Sequence, residues 1–458
     1  MTEARPWLRA ALWLGFLAPF FFVTYLGTLE IVSRYENVPV IVFAWERHIP
    51  FLAWTVVPYW SIDLLYGLSL FLCRTRGQLD RLGLRLFSAQ VIACTIFVIA
   101  PLRLVSTIPE DTGVFAPFFA ALEGVVGKPF NLAPSLHIAL LVILWAHYAR
   151  AIPKRWHLPM HLWAGLIGVS VLTANQHHFF DVPTGMALGF FCLWLWPEER
   201  AAPLAAMRLA RDPQRLRLAG YYAVGAVLCA AIAAWAGGIA WWLLWPSLSL
   251  AMVALAYLAF GPALFQKDGE GRMSLAARWL LAPYLLGARI NRWTWTRRLP
   301  ARTEIARGVW LGRLPERVPA GFALIDMSAE FHGSRGERHR AFPCLDLVTP
   351  PPEVLAGAAE AIEAERRSGR PVLIACALGF SRSAAASAAW LVRSGRAGDA
   401  AAAIAVLERT APRIHLDGGD EAAIAAAADG RSADRSASSG SERRGTAPPI
   451  AAQPESER

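Results

Sequence analysis

Charge is scarce in this chain. Asp, Glu, Lys and Arg make up 17% of its 458 residues, and apolar residues make up 55%. Soluble globular proteins carry about 25% and 45–50%. With a mean hydropathy of +0.37, that scarcity excludes a disordered chain or one that coats nucleic acid, and it argues against a wholly cytosolic enzyme. The formal net charge of +10 fits the Lys and Arg that membrane proteins keep on cytoplasmic loops, so no nucleic-acid partner is implied. Cys73, Cys94, Cys192, Cys229, Cys344 and Cys376 form no CxxC pair and no zinc-like spacing. Neither a disulfide framework nor a metal site is therefore expected. No signal-peptidase-like site follows the first apolar run, which reads as a retained anchor. Internal repeats are also lacking.

What the chain does have is long runs without charge. Residues 10–29, 86–102, 129–149 and 156–180 are such runs, and 51–73 is interrupted only by Asp63. Residues 182–197 are short but apolar, and 218–266 is long enough for two spans around the turn Gly237-Gly238. A helical crossing takes about 20 residues, so eight spans are expected. With the N-terminus inside, fourteen Lys and Arg before residue 218 fall on inner segments. Only Arg34, Arg47, Arg103 and Lys128 fall on outer ones, as the positive-inside rule requires. That arrangement puts the loops at 102–133 and 175–181 outside and everything after 266 in the cytoplasm.

Residues 274–295 mix Trp279, Leu285, Leu286 and Trp293 with Arg278, Arg289 and Arg292, which predicts an amphipathic segment lying at the interface. From about 301 the composition is that of a soluble α/β domain. Strand-like runs are expected at 308–311, 323–327 and 371–375, and helical ones at 353–367, 383–393 and 397–408. After Gly430 the composition predicts a disordered tail.

Within that domain stands Cys376-Ala377-Leu378-Gly379-Phe380-Ser381-Arg382-Ser383, between an apolar strand and a helix-forming run. Backbone N–H groups at a helix N-terminus bind an anion, and the same field favours a thiolate on a cysteine placed there. Arg382 can grip phosphate oxygens in bidentate fashion, and Gly379 permits a turn that a side chain would hinder. These residues resemble the signature of the protein tyrosine and dual-specificity phosphatase superfamily, over about 303–428. The resemblance implies Cys376 as a nucleophile forming a phosphocysteine and Arg382 as the transition-state clamp. It makes Ser383 a hydroxyl that eases thiolate departure, with Gly379 and Ser381 in the phosphate loop. Asp346, about thirty residues upstream, takes the place of the general acid. Ala375 stands where the family usually has His. The loop also lacks the extra Lys of relatives directed at polyphosphoinositides.

A second constellation falls in the membrane region: Pro134-Ser135-Leu136-His137 before one run and His177-His178-Phe179-Phe180-Asp181 between two others. Asp181, four residues after His177, can fix its tautomer and raise its basicity. His137 can serve as an acid, and Arg103 and Lys128 can supply positive charge to a phosphate. An intramembrane Asp63 is a further candidate. Over about 50–200 the pattern resembles the type-2 phosphatidic acid phosphatase superfamily. Pro134-Ser135-Leu136-His137 is similar to its second motif and Ser170-Val171 with His177 and Asp181 to its third, with Val171 where the family has Arg. The Leu variant is similar to the inositol-phosphotransferase-like branch. The resemblance implies His177 as a nucleophile forming a phosphohistidine, Asp181 as its orienting group, His137 as the acid and Ser135 as a phosphate contact.

The expected architecture is a membrane domain of about eight helices over 1–266, with a phosphatidic-acid-phosphatase-like core at about 50–200. An amphipathic linker over 267–300, a soluble α/β phosphatase domain over 301–430 and a tail over 431–458 follow. The chain resembles bacterial fusions of those two phosphatase types. That resemblance implies a bifunctional phosphatase of the inner membrane with both termini cytoplasmic, acting on a phosphorylated lipid without metal or cofactor. The alternative is a lipid headgroup phosphotransferase joined to a domain that acts on phosphoproteins or merely binds phosphate.

Overall fold

The computed structural model describes residues 5–126, 129–334, 336 and 338–429. The tail expected after Gly430 and the candidate Lys128 lie outside the described residues. The described residues fall into two compact units, Met1–Arg297 with Ala329–Gly333, and Arg298–Ser328 with Ser334–Arg458.

The first unit is helical: α1 (Trp7–Val32), α2 (Val56–Leu72), α3 (Arg76–Ile99), α4 (Ala116–Val126), α5 (Leu136–Ala151), α6 (His157–Thr173), α7 (Asp181–Leu195), α8 (Pro213–Ala236), α9 (Leu244–Leu255), α10 (Leu275–Leu280) and α11 (Ala282–Thr296). Each of the eight expected spans overlaps one of these helices. Among the described residues, five helical stretches are long and apolar enough to cross a membrane, namely α1, 53–72, α3, α8 and 238–265. Helices α5, α6 and α7 are shorter, at 16, 17 and 15 residues, or about 22–26 Å. The boundaries depart from the charge-free runs for visible reasons. Helix α3 begins ten residues before the run at 86–102 because its Arg85 is buried and paired, Nη1 lying 2.8 Å from Glu198 Oε1. Helix α5 begins only at Leu136, where the Ser135 hydroxyl accepts the Ile138 N–H. Helix α6 stops at Thr173, leaving 174–180 as a loop. Helix α4 lies in a segment expected to be loop. The turn between α8 and α9 falls at Gly237-Gly238, both at positive φ.

Two opposite sets of contacts gather the ends of this unit. At one, the Phe179 N–H donates to Glu46, the Val105 N–H to His178 Nε2 and the Leu52 N–H to Thr173 O, with Trp241 against Phe180. At the other, Glu198 takes both Arg85 and Arg150, and Arg9 pairs with Asp80. Burial acts to raise the Glu198 carboxyl, but the charges of Arg150 and Arg85 outweigh it and hold the group below its usual range.

Helices α5 and α7 approach closely because α7 presents Gly185 and Gly189 one turn apart. A Cβ on Gly189 would lie 2.7 Å from both Ala139 O and Val142 Cβ, and one on Gly185 would lie 2.5 Å from Ser135 O. Small residues four apart are what lets apolar helices pack backbone to backbone. Gly189→Val is expected to lower the thermal midpoint of the detergent-solubilised chain by the equivalent of about 2 kcal/mol, the usual cost of overpacking. An unchanged midpoint in a melting experiment would contradict this contact.

The second unit carries a five-stranded sheet of β1 (Arg302–Ala306), β2 (Val309–Arg313), β3 (Ala323–Ser328), β4 (His339–Cys344) and β5 (Val372–Cys376). The order is β1-β2-β5-β3-β4, with β1 antiparallel to β2 and the other pairs parallel. Helices α12 (Pro352–Arg367), α13 (Arg382–Arg393), α14 (Ala400–Thr410) and α15 (Gly418–Ala428) complete it. The core joins Val309, Leu311, Ile325, Met327 and Ile374 of the sheet to Leu355, Ile362, Trp390, Leu407 and Ile424 of the helices. Helix α13 sits close to the sheet because Ala384, Ala385, Ala386, Ala388 and Ala389 are all fully buried. That short approach brings its first residue, Arg382, to the carboxyl end of the central strand β5. Ligands of parallel α/β sheets bind at strand carboxyl ends.

Candidate functional sites

In the second unit, β5 ends on Cys376 and the chain turns through 377–381 into α13. The turn depends on Gly379, at φ 83° and packed so that a Cβ would meet Gly312 C at 2.6 Å. Two donors converge on the buried Cys376 Sγ, the Gly379 N–H at 3.3 Å and the Ser383 hydroxyl at 3.2 Å. They can serve the sulfur when it carries charge, as attacking thiolate and as leaving group. Arg382 is only 2% exposed. Its Nη1 donates to Cys344 O at 2.9 Å and its Nη2 stands 2.9 Å from Asp346 Oδ1. Five of the residues expected here, Cys376, Gly379, Arg382, Ser383 and Asp346, are therefore brought together, while Ser381 precedes α13 as its N-cap. The Cys344 carbonyl is an addition that no side-chain motif announces.

In the first unit, α7 begins at Asp181 and α5 at Leu136, so their N-termini meet where Ser135 N–H donates to Asp181 O at 3.1 Å. His177 bridges them. Its Nδ1 lies 3.1 Å from Asp181 Oδ2 and its Nε2 lies 3.1 Å from Ser135 Oγ. One ring nitrogen thus faces the Asp181 carboxyl and the other the Ser135 hydroxyl. Asp181 is 1% exposed, and the same Oδ2 also accepts the His178 N–H at 2.9 Å.

The other candidates make no hydrogen bond to this group among the described residues. His137, expected beside His177 as an acid, stacks on Tyr59 with ring centroids 4.1 Å apart, and its buried Nε2 has no hydrogen-bond partner among the described residues. With Ser135 as the N-cap, the second helical residue points along a different face of α5. Arg103 is exposed and contributes its N–H to Pro39 O. Asp63 stands on the exposed face of α2.

Glu46 is a residue that sequence reasoning missed. Its two oxygens accept the Phe43 N–H at 2.7 Å and the Phe179 N–H at 2.8 Å, and it lies 3.5 Å from His178 Nδ1. Burial acts to raise this carboxyl, yet His178 and the two N–H donors outweigh it and hold the group below its usual range. His178 is thereby committed to Glu46 through Nδ1 and to the Val105 N–H through Nε2, which leaves His177 as the histidine with a ring nitrogen facing a hydroxyl. No local pattern marks Glu46, because its partner Phe179 is 133 residues away.

No family model matches the chain, and no curated protein matches it. Solved structures do. Tk-PTP in its active form is 24% identical, covering 28% of this chain and 97% of that one, with a TM-score of 0.26. PTPMT1 in complex with PI(5)P is 16% identical over 29% of this chain and 96% of that one, with a TM-score of 0.26. Human DUSP28 is 22% identical over 29% and 95%, with a TM-score of 0.25.

Proposed function

We propose that the chain is a membrane-embedded phosphatase that hydrolyses phosphomonoesters at Cys376 and carries a second phosphoryl-transfer site at His177. The observation that carries the first site is the convergence of the Gly379 N–H and Ser383 hydroxyl on Cys376 Sγ, beside an Arg382 fixed by Cys344 O and Asp346. A phosphate entering the loop would take the Arg382 fork that Asp346 now holds. Asp346, released, would sit within reach of the leaving oxygen. Sulfur attacks phosphorus as Asp346 gives its proton to the departing alcohol. Asp346 then takes a proton from water, which displaces the thiolate under the Ser383 hydrogen bond.

At the second site the Nε2 lone pair of His177 attacks phosphorus, with Asp181 facing the imidazolium that results. The P–O bond to the alcohol breaks as the leaving oxygen takes a proton from His137, the acid of the sequence pattern, and water then displaces phosphate from Nε2. The helices long and apolar enough to cross a membrane favour a phosphate carried on a lipid for both sites. The collection of Arg9, Arg81, Arg85 and Arg150 at one end of the bundle supports an inner-membrane orientation with that end cytoplasmic.

The test is to trap the intermediates. The full chain in lipid nanodiscs is quenched during turnover of lipid phosphates or phosphopeptides, and the peptides are mapped by mass spectrometry. Phosphate on Cys376 and, separately, on His177 is the expected outcome. Transfer of phosphate to a lipid alcohol in place of water would make the second site a headgroup transferase. Free phosphate release with neither residue labelled overturns the proposal.

A further inference from the structure

The turn and helix after α14 touch both loops of the cysteine site. The His415 N–H donates to Phe380 O at 3.0 Å, holding the phosphate loop from outside. Two residues on, Asp417 and Asp420 cap α15 reciprocally. The Asp420 N–H donates to Asp417 Oδ1 at 2.9 Å, and the Asp417 N–H donates to Asp420 Oδ2 at 3.2 Å. This box lies against Thr349, three residues beyond Asp346: a Cβ on Gly419 would stand 3.2 Å from Thr349 Oγ1 and 3.1 Å from Asp417 Oδ1. Asp420 is 5% exposed, its Oδ1 has no hydrogen-bond partner among the described residues, and burial pushes its carboxyl above the usual range.

A buried carboxyl is costly to keep, and capping alone does not need one, since exposed Asp or Asn caps as well. What burial adds here is a fixed wall for the loop that carries Asp346. That loop is held at its start by Arg382 on Cys344 O, and at its end Thr349 packs against the α15 box at Gly419. Between the two anchors it turns through Leu347 at φ 54°.

We propose that Asp420 is a positioning residue for general-acid catalysis: the α15 box fixes Thr349 and so sets the reach of Asp346 to the leaving oxygen. The inference rests on the reading of Cys376 and Asp346 given above. General-acid help matters most for a poor leaving group, and that dependence separates positioning from damage to the fold.

The experiment compares kcat/KM of the full chain on phenyl phosphate and on 4-nitrophenyl phosphate, the latter having the far better leaving group. Asp420→Ala is expected to lose roughly ten- to a hundredfold on phenyl phosphate and less than about threefold on the nitrophenyl ester, the same split as Asp346→Asn. Gly419→Ala keeps the carboxyl but pushes Thr349 by a few tenths of an ångström, and is expected to give a smaller split of the same sign. Asp420→Asn, which keeps an oxygen for the Asp417 N–H, should restore most of the phenyl phosphate rate. Equal losses on both esters in Asp420→Ala and Gly419→Ala, or no loss in either, overturn the inference. If Asp346→Asn itself shows no split, the general-acid assignment fails and the inference falls with it. Aryl phosphate turnover that survives undiminished in a chain carrying both Cys376→Ser and His177→Ala marks instead a failure of the site reading.

Discussion

Arg382→Lys should lower kcat/KM at the cysteine site by roughly a hundred- to a thousandfold while leaving the chain folded. The side chain is almost wholly buried, and its guanidinium reaches two partners at once, Cys344 O through Nη1 and Asp346 Oδ1 through Nη2. That fork also matches two oxygens of a phosphoryl group. A lysine keeps the charge on a stem of similar reach, so the half-exposed Asp346 keeps a cation beside it. It presents one compact ammonium instead of a planar pair of donors, so the equatorial oxygens of the transition state lose an oriented contact. Such contacts are made in the transition state more strongly than in the ground state, so kcat should fall more than KM rises. Phosphate release from the full chain measures the rate, and its thermal midpoint measures the fold. A Lys variant within about threefold of the parent would remove Arg382 from its role as the clamp. Arg382→Ala is the less informative change, because it also removes the buried donor that Cys344 O accepts from, at a cost of about 1–3 kcal/mol.

The central part of this site was legible because its signals are local. Val372, Leu373 and Ile374 form an apolar run, Gly379 breaks it, and an alanine-rich run restarts regular structure within a dozen residues. The edge strands were not legible. In β1 only Ile305 is buried, so no alternation marks it, and β4 contains Pro343 and the charged Arg340. Helix α15 opens with Gly418 and Gly419 and is held by its Asp417–Asp420 box, a pattern that reads as loop when no tertiary partner is in view. In the first unit, the absence of charge marked runs that overlap helices but misplaced the helix ends. Arg85 is tolerated in α3 because Glu198, far along the chain, pairs with it. His177, Asp181 and Ser135 were found from spacing within two short motifs and do meet. His137 belongs to one of those motifs too, and its stacking on Tyr59 is a contact that neither motif announces. Glu46 depends on contacts between distant loops and had no signal to find.

Asp181→Asn should cut turnover at the His177 site about a thousandfold with little effect on folding, a figure that follows from charge alone. Oδ2 of Asp181 accepts from both His177 Nδ1 and the His178 N–H. An asparagine can place its amide oxygen there and keep both hydrogen bonds, the tautomer and the volume. What disappears is the negative charge facing an imidazole that becomes cationic when Nε2 takes up phosphorus. Two unit charges about 4 Å apart in a partly buried site attract by about 4 kcal/mol, and about 1.4 kcal/mol is tenfold in rate. The measurement is phosphate release from a lipid phosphate in a Cys376→Ser background, which silences the other site. Asp181→Ala serves as the contrast. It removes the acceptor as well as the charge, leaves the buried His178 N–H unpaired, and should lower the thermal midpoint where Asp181→Asn does not. If Asp181→Asn keeps turnover within about threefold, no cation of consequence forms on His177, and Nε2 does not carry the phosphoryl group. The Ser135–His177–Asp181 contacts would then be a helix-end clasp joining α5 to α7, and the chain would have one phosphate-handling site.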